Sequence, residues 1–337
     1  VNHSSVHRCV LLMQRGHGAV QCYTMSCAGG EEAADMMMCR CASCGVAEDG
    51  NINIKLKKCN ACHSVRYCSV ECQKEHRPQH KAECKKRAAD MRDESLFKQP
   101  ESSHLGDCQI CCLPLSIDHK KTSLTACCTK MICNGCLMFN LIRERKEKLE
   151  PKCVFCRKKS FLTGKESELL FNKRIEANDP NALRKMGTTY GAQGNFAKSM
   201  EFLTKAAKLG DAESHYQLGM MYGNRLHLSA GKDKKKARYH LEEAAIAGHP
   251  EARLQLGIVE VENKRMDRAV KHFIIAASSG ETESMKMVKK GYESGGVSKE
   301  EFATALRAHQ AAIEATKSPQ RDEWEKSKQG NVPSKRK

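Results

Sequence analysis

Beyond residue 178 the apolar and small positions repeat. Ala206-Ala207-x2-Gly210, Ala244-Ala245-x2-Gly248 and Ala276-Ala277-x2-Gly280 recur at intervals of 38 and 32 residues, and Met186-Gly187, Leu218-Gly219 and Leu256-Gly257 at 32 and 38. Two interleaved periods of this length predict helix pairs stacked as a solenoid, because each pair leaves an apolar face that only its neighbour can cover. Small residues at fixed places let helices approach closely, and the Gly after each Ala-Ala helix suits a left-handed cap. Pro180 and Pro250 fit first-turn positions. Six extra residues in the second repeat fall at about 226–233, a degenerate fourth pair spans 284–305, and 299–316 read as one amphipathic helix closing that end.

Upstream the pattern changes. Residues 137–150 predict a helix and 85–97 a charged helical connector that loosens around 99–103, whereas 1–38 show no sustained period and are expected to be disordered. The longest apolar run near the start, Val10 to Met13, is too short for a signal peptide, and no run reaches eighteen residues. A soluble intracellular protein, cytoplasmic or nuclear, is expected.

Between Cys41 and Cys156 lie sixteen of the chain's 20 cysteines, and none follows. Most are paired as CxxC or CxxxC, which turns two sulfurs back onto one ion. With no secretory signal, reduced thiolates on zinc are preferred over a disulfide scaffold.

The order Cys41-x2-Cys44-x14-Cys59-x2-Cys62-x5-Cys68-x3-Cys72-x7-His80-x3-Cys84 resembles the MYND-type zinc finger. That resemblance implies a cross-brace, with Cys41, Cys44, Cys68 and Cys72 on one zinc and Cys59, Cys62, His80 and Cys84 on the other. The residues agree: a module whose apolar groups are chiefly Ile52, Ile54, Leu56, Val65 and Tyr67 cannot fold by burial alone. His63 and His76 fall outside the pattern and read as solvated. Fingers of this family commonly take short proline-containing peptides through a Gln after the sixth ligand and a Trp four residues on. Here Gln73 is present and Arg77 replaces the Trp, which puts that preference in doubt.

From Cys108 the sequence resembles a RING finger in its all-cysteine variant. The resemblance implies one zinc on Cys108, Cys111, Cys133 and Cys136, and a second on Cys127, Cys128, Cys153 and Cys156. Cys127 and Cys128 are adjacent where the family leaves a residue between these ligands. Either they share the second zinc, or that site is incomplete, or His119 supplies a ligand. Cys112 is surplus and reads as a small packing residue. RING fingers that act as ubiquitin ligases dock a conjugating enzyme, and the matching positions here are Ile110, the helix beginning at Leu137, and Arg157. Val154 stands where the family usually has Pro.

The repeats resemble Sel-one-like repeats, relatives of tetratricopeptide repeats. The expected fold is therefore multidomain: two small cross-brace zinc fingers, MYND and RING-like, followed by a mainly α-helical solenoid of two-helix repeats. The boundaries are 1–38 disordered, 39–86 MYND-type finger, 87–107 linker, 108–160 RING-like finger, 178–316 repeats with a capping helix, and 317–337 a disordered basic tail ending in SKRK.

The formal charge of +17 falls to +10 once fifteen thiolates and four zinc ions are counted. No segment interleaves basic and aromatic residues, which argues against nucleic acid as the main partner. No catalytic carboxylate pair, Ser/His/Asp set or phosphate-binding loop is present, and nothing resembles the SET domain that accompanies some MYND fingers. The expected function is a zinc-binding protein-interaction adaptor whose fingers and repeats take proteins or peptides, without membrane attachment. The alternative is a RING-type ubiquitin ligase that recruits a conjugating enzyme and selects substrates through the repeats and MYND finger.

Overall fold

The computed structural model of the chain describes residues 40–48, 54–159, 164–223 and 233–328. The expectations for 1–38, for Ile52, for most of the inserted loop and for the SKRK end lie outside those residues. The chain divides into two compact units, Val1–Met91 and Arg92–Lys337.

In the first unit β1 (Lys57–Lys58) pairs antiparallel with β2 (Arg66–Tyr67), placing Lys57 opposite Tyr67. Helix α1 (Val70–Leu96) follows, its first turn held by Ser69, whose Oγ accepts from the Cys72 N–H at 3.2 Å. Leu56 and Tyr67 are buried among Cys41, Cys59 and Cys62, so thiols make up most of this core.

The second unit opens at Arg92, still on α1. Strands β3 (Thr122–Leu124) and β4 (Met131–Cys133) form an antiparallel pair, and α2 (Asn134–Lys146) starts directly from β4. The helix expected over 137–150 begins earlier because Cys133 is its cap, its sulfur accepting from the Cys136 N–H at 3.4 Å. It ends earlier because Lys148 turns left-handed, at φ 53°. Helix α3 (Gly164–Glu176) leads into four antiparallel pairs: α4 (Pro180–Ala192) with α5 (Phe196–Lys208), α6 (Ala212–Gly223) with α7 (Lys234–Ile246), α8 (Pro250–Glu262) with α9 (Met266–Ser278), and α10 (Thr282–Glu293) with α11 (Lys299–Ala315).

The sequence motifs are the contacts between these helices. A Cβ on Gly187 would meet Leu203 Cγ at 2.8 Å, one on Gly219 would meet Leu241 Cγ at 2.8 Å, and one on Gly257 would run into the Phe273 ring. Each glycine thus accepts the large side chain of the second helix in its own pair. Ala206, Ala244 and Ala276 are fully buried, and Gly210, Gly248 and Gly280 close their helices at φ 88°, 86° and 89°. The last helix begins with a capping box, Ser298 reciprocating with Glu301.

Two stretches differ from expectation. Residues 87–107 are helical to Leu96, and from Arg92 they lie against the repeats. Leu96 is fully buried among Leu241, Ala244, Ala245, Ala252 and Leu256. Arg92 spans Glu242 and Glu243 at 3.1 and 2.8 Å, Arg268 grips Asp93 with both terminal nitrogens, and buried Arg253 donates to the Leu96 and Lys98 carbonyls. The charged composition concealed one apolar anchor with ion pairs around it.

Of the tail from 317, expected to be disordered, Pro319–Lys328 form helix α12 on α2. Arg321 is buried and donates to the carbonyls of Leu113, Pro114 and Thr316 and to the Cys111 sulfur. A Cβ on Gly135 would lie 2.9 Å from Arg321 Cα, so the helices meet backbone to backbone.

Gly257→Ala gains helix propensity of at most about 1 kcal/mol but forces a methyl into the Phe273 ring, so we expect a net loss of about 1–3 kcal/mol by denaturant unfolding. Adding Phe273→Leu should make Gly257→Ala far less costly, since the pair is directly coupled; strict additivity would reject this account.

His272 is fully buried, and neither ring nitrogen has a hydrogen-bond partner among the described residues. Burial, then Arg253, Arg268 and Arg238, push it down to about 3, against a weaker pull from Asp93. The unfolded imidazole protonates near about 6.5, so stability from this site is full above that pH and is lost as pH falls towards 3. Through His272 the unit should be about 2 kcal/mol less stable at pH 5 than at pH 7. In His272→Leu the same comparison should show a smaller drop, and an unchanged pH dependence would refute the assignment.

Candidate metal centres

The first unit brings its ligand atoms together in two interleaved sets. Sγ of Cys41, Cys44, Cys68 and Cys72 lie within 4.8 Å of one another, as do the ligand atoms of Cys59, Cys62, His80 and Cys84. Cys44 to Cys68 is 3.5 Å, Cys68 to Cys72 3.6 Å, and Cys59 to Cys84 3.8 Å. His80 turns Nε2 to the Cys62 sulfur at 3.2 Å. A tetrahedral zinc with bonds of about 2.3 Å sets its sulfurs about 3.8 Å apart, whereas a disulfide needs about 2.0 Å. The thiols therefore stand at the spacing of the corners of a metal tetrahedron.

His76, expected to be solvated, instead joins its Nδ1 to the Tyr67 hydroxyl at 3.1 Å and stacks on the His80 ring at 5.6 Å. It steadies a ligand ring without facing the ligand set. His63 is exposed.

The second cysteine module does the same. Cys108, Cys111, Cys133 and Cys136 form one set, and Cys127, Cys128, Cys153 and Cys156 the other. Cys111 to Cys133 is 3.9 Å, Cys127 to Cys156 3.3 Å, and Cys128 to Cys153 3.8 Å. The adjacent pair reaches one site because the chain curls tightly there: the Thr129 N–H donates to the Thr125 carbonyl at 2.9 Å, and Thr129 is left-handed at φ 54°. His119 lies elsewhere, its Nε2 3.7 Å from Glu213 Oε2. Cys112, expected to be a small packing residue, is exposed in a left-handed turn at φ 54°.

Electrostatics fit a dication in each set. The hydrogen bond from Cys133 draws Cys108 down to about 4, while the same contact pushes Cys133 up, so one sulfur's ionisation holds its neighbour protonated. Four thiols this close ionise together only around a positive ion.

Ile110 is 49% exposed, with Phe139 and Ile142 also exposed on the same module, and Arg157 is exposed at φ 63°. Two features carried no clear sequence signal. Arg321 was one arginine in a polar stretch. The His104, Glu213 and His249 side chains also converge within 4.8 Å, and the sole hint was a histidine heading α8 where other repeats have an acid.

Residues 41–84 match the model of the MYND finger, and residues 180–211 and 212–249 match the Sel1 repeat. The chain carries a MYND finger and Sel1 repeats. Similar solved structures include a Sel1 repeat protein from Oxalobacter formigenes, at 22% identity and TM-score 0.33 over 36% of this chain and 97% of that one. Another is c5321, a protective antigen of uropathogenic Escherichia coli displaying an SLR fold, at 21% identity and TM-score 0.37 over 43% of this chain and 33% of that one. MamA matches at 21% identity and TM-score 0.29 over 55% of this chain and 95% of that one. No curated protein matches. The MYND finger and the cysteine clusters support zinc binding, and the finger and repeats together suggest a zinc-binding protein-interaction adaptor. Among the described residues no helix is long and apolar enough to cross a membrane.

The Arg321 guanidinium lies 3.3 Å from the Cys111 sulfur, where it offsets thiolate charge. Arg321→Met should weaken zinc retention in the second module by about 10-fold or more in competition with a chromogenic chelator, leaving release from the MYND finger unchanged. Equal retention in both proteins would show that this contact is only packing.

Proposed function

We propose that this protein is an adaptor built on four thiolate-bound zinc ions, two in each cysteine module, whose MYND finger takes a peptide carrying carboxylates beside an apolar residue. The observation that carries the reading is a groove of about 410 Å³ on that finger. Tyr67, Val70 and Ala88 supply apolar wall; Gln73 and Arg77 both line it, joined by Lys74, Lys81 and Lys85, and among the described residues no carboxylate lines it. An aromatic platform for proline is thus replaced by cations, which favour an acidic strand or helix over a proline-containing one. The MYND resemblance supplies the place of the groove, and Arg77 supplies its changed chemistry. The repeats serve as the scaffold and as a second protein-binding surface.

Fluorescence anisotropy with two peptide sets, Asp/Glu-flanked Leu or Phe against proline-rich, tests the preference. The acidic set should bind at least about 10-fold tighter, lose that margin in Arg77→Glu, and weaken with salt. Tighter binding of the proline set to the unaltered protein would reject the reading. Mercurial titration of the thiols should release four zinc equivalents; two would confine zinc to one module.

A second reading makes the 108–156 module a RING-like finger of a ubiquitin ligase. Exposed Ile110, Phe139 and Ile142 favour it, since burying such side chains against a conjugating enzyme removes apolar area from water. Arg157 would steady the thioester-linked ubiquitin, and the module's part would be positioning alone. Autoubiquitination with a panel of conjugating enzymes, comparing the unaltered chain with Ile110→Ala and Arg157→Ala, decides it: no chains with any enzyme would end this reading.

A further inference from the structure

We propose that His104, Glu213 and His249 form a further metal site, outside the thiolate sets, that takes a zinc-like divalent ion. The three ligand atoms lie within 4.8 Å of one another. Glu213 Oε2 is the hub, 3.0 Å from His249 Nε2, 3.9 Å from His104 Nε2 and 3.7 Å from His119 Nε2. Around a tetrahedral zinc with nitrogen and oxygen bonds of about 2.0–2.1 Å, ligand atoms stand about 3.4 Å apart. The observed distances straddle that value.

Burial makes the cluster more than a surface coincidence. The His249 side chain is fully buried, His104 is 4% exposed and Glu213 10%. Neither nitrogen of His104 has a hydrogen-bond partner among the described residues, although its ring stacks on His249 at 4.1 Å. A buried imidazole without partners is costly, and an ion on Nε2 removes that cost.

Outer contacts suit a metal as well. Gln217 donates to Glu213 Oε1 at 2.8 Å, fixing the carboxylate with Oε2 towards the histidines. His249 Nδ1 lies 3.2 Å from Glu251 Oε2, an oxygen that is itself buried without a hydrogen bond. Metal-bound imidazoles commonly donate their other N–H to a carboxylate.

The metal-free alternative has the opposite tautomer. There His249 donates from Nε2 to Glu213 and accepts the Ala252 N–H on Nδ1 at 3.3 Å. It keeps those two bonds and leaves Glu251 Oε2 and both His104 nitrogens unpaired. The metal-bound arrangement exchanges both bonds for contacts to the ion and pairs Glu251 Oε2 and His104 Nε2.

The repeats provide an internal comparison. At the position that heads the first helix of each pair stand Asp179, Asp211 and Glu281, all of them carboxylates that cap the following N–H groups. Only here is it His249. Imidazole is a poorer cap than a carboxylate, so another demand has set this residue, and metal ligation is one that imidazole meets. The ligands come from the connector and two helix starts, so one ion would tie these pieces together. His119 is 59% exposed and a cavity of about 260 Å³ borders His104 and Glu213, which gives an ion a way in.

The test uses the full-length, zinc-loaded protein. After dialysis against a weak chelator that leaves thiolate zinc in place, isothermal titration with zinc should show one further equivalent bound, with a rise in the melting temperature. His249→Asp, which installs the cap used by the other repeats, and His104→Phe, which keeps the ring stack, should each lose that equivalent or bind at least about 10-fold more weakly. Their thiolate zinc, measured by mercurial release, should stay unchanged. Absence of a further equivalent in the unaltered protein, or uptake by both variants at its affinity, would overturn the proposal.

Discussion

Four sulfur atoms held within 4.8 Å of one another cannot all carry charge unless a cation sits among them. Everything in the two cysteine modules follows from that. Their buried residues are largely the ligands themselves, so apolar burial contributes little and metal binding is folding. In the second unit the constraint spreads outward. Arg174 of α3 donates to the Cys127 carbonyl, Thr129 to Asp179 at the start of α4, and Arg321 of α12 to the Cys111 sulfur, so the helices on either side of the repeats and the start of the first repeat are anchored to the cysteine module.

The repeats rest on different physics. Their helices approach closely because glycine and alanine remove side-chain bulk where a neighbour's Leu or Phe enters. Charge is then used inside the stack: Glu260 is fully buried and meets Arg238, Arg265 and Arg268. The chain preceding the repeats joins this network through Asp93 and Arg92, so one face of the middle repeats is already covered by the protein's own backbone.

Spacing made much of this readable in advance. The interleaved ligand sets came with the two family resemblances, the adjacent Cys127 and Cys128 staying open among three arrangements, and the Gly and Ala registers are set by helix contact. What stayed hidden depends on single side chains in polar surroundings. Leu96 is one leucine in a charged helix, and Arg321 one arginine among solvated residues; each matters through carbonyls or apolar neighbours distant in sequence. His249 is similar, because a histidine heading a helix looks ordinary until His104 and Glu213 arrive beside it.

The contact between Arg321 and Cys111 spans 210 residues. During synthesis every cysteine of the second module leaves the ribosome by Cys156, well before that arginine is made. The module's sulfurs are therefore complete before the helix that covers the Leu113 and Pro114 carbonyls has been made. Closure of a long loop is slow relative to local folding. The helix on α2 can therefore dock only after residue 321 has been made, whereas every sulfur of the module is present once Cys156 has been made.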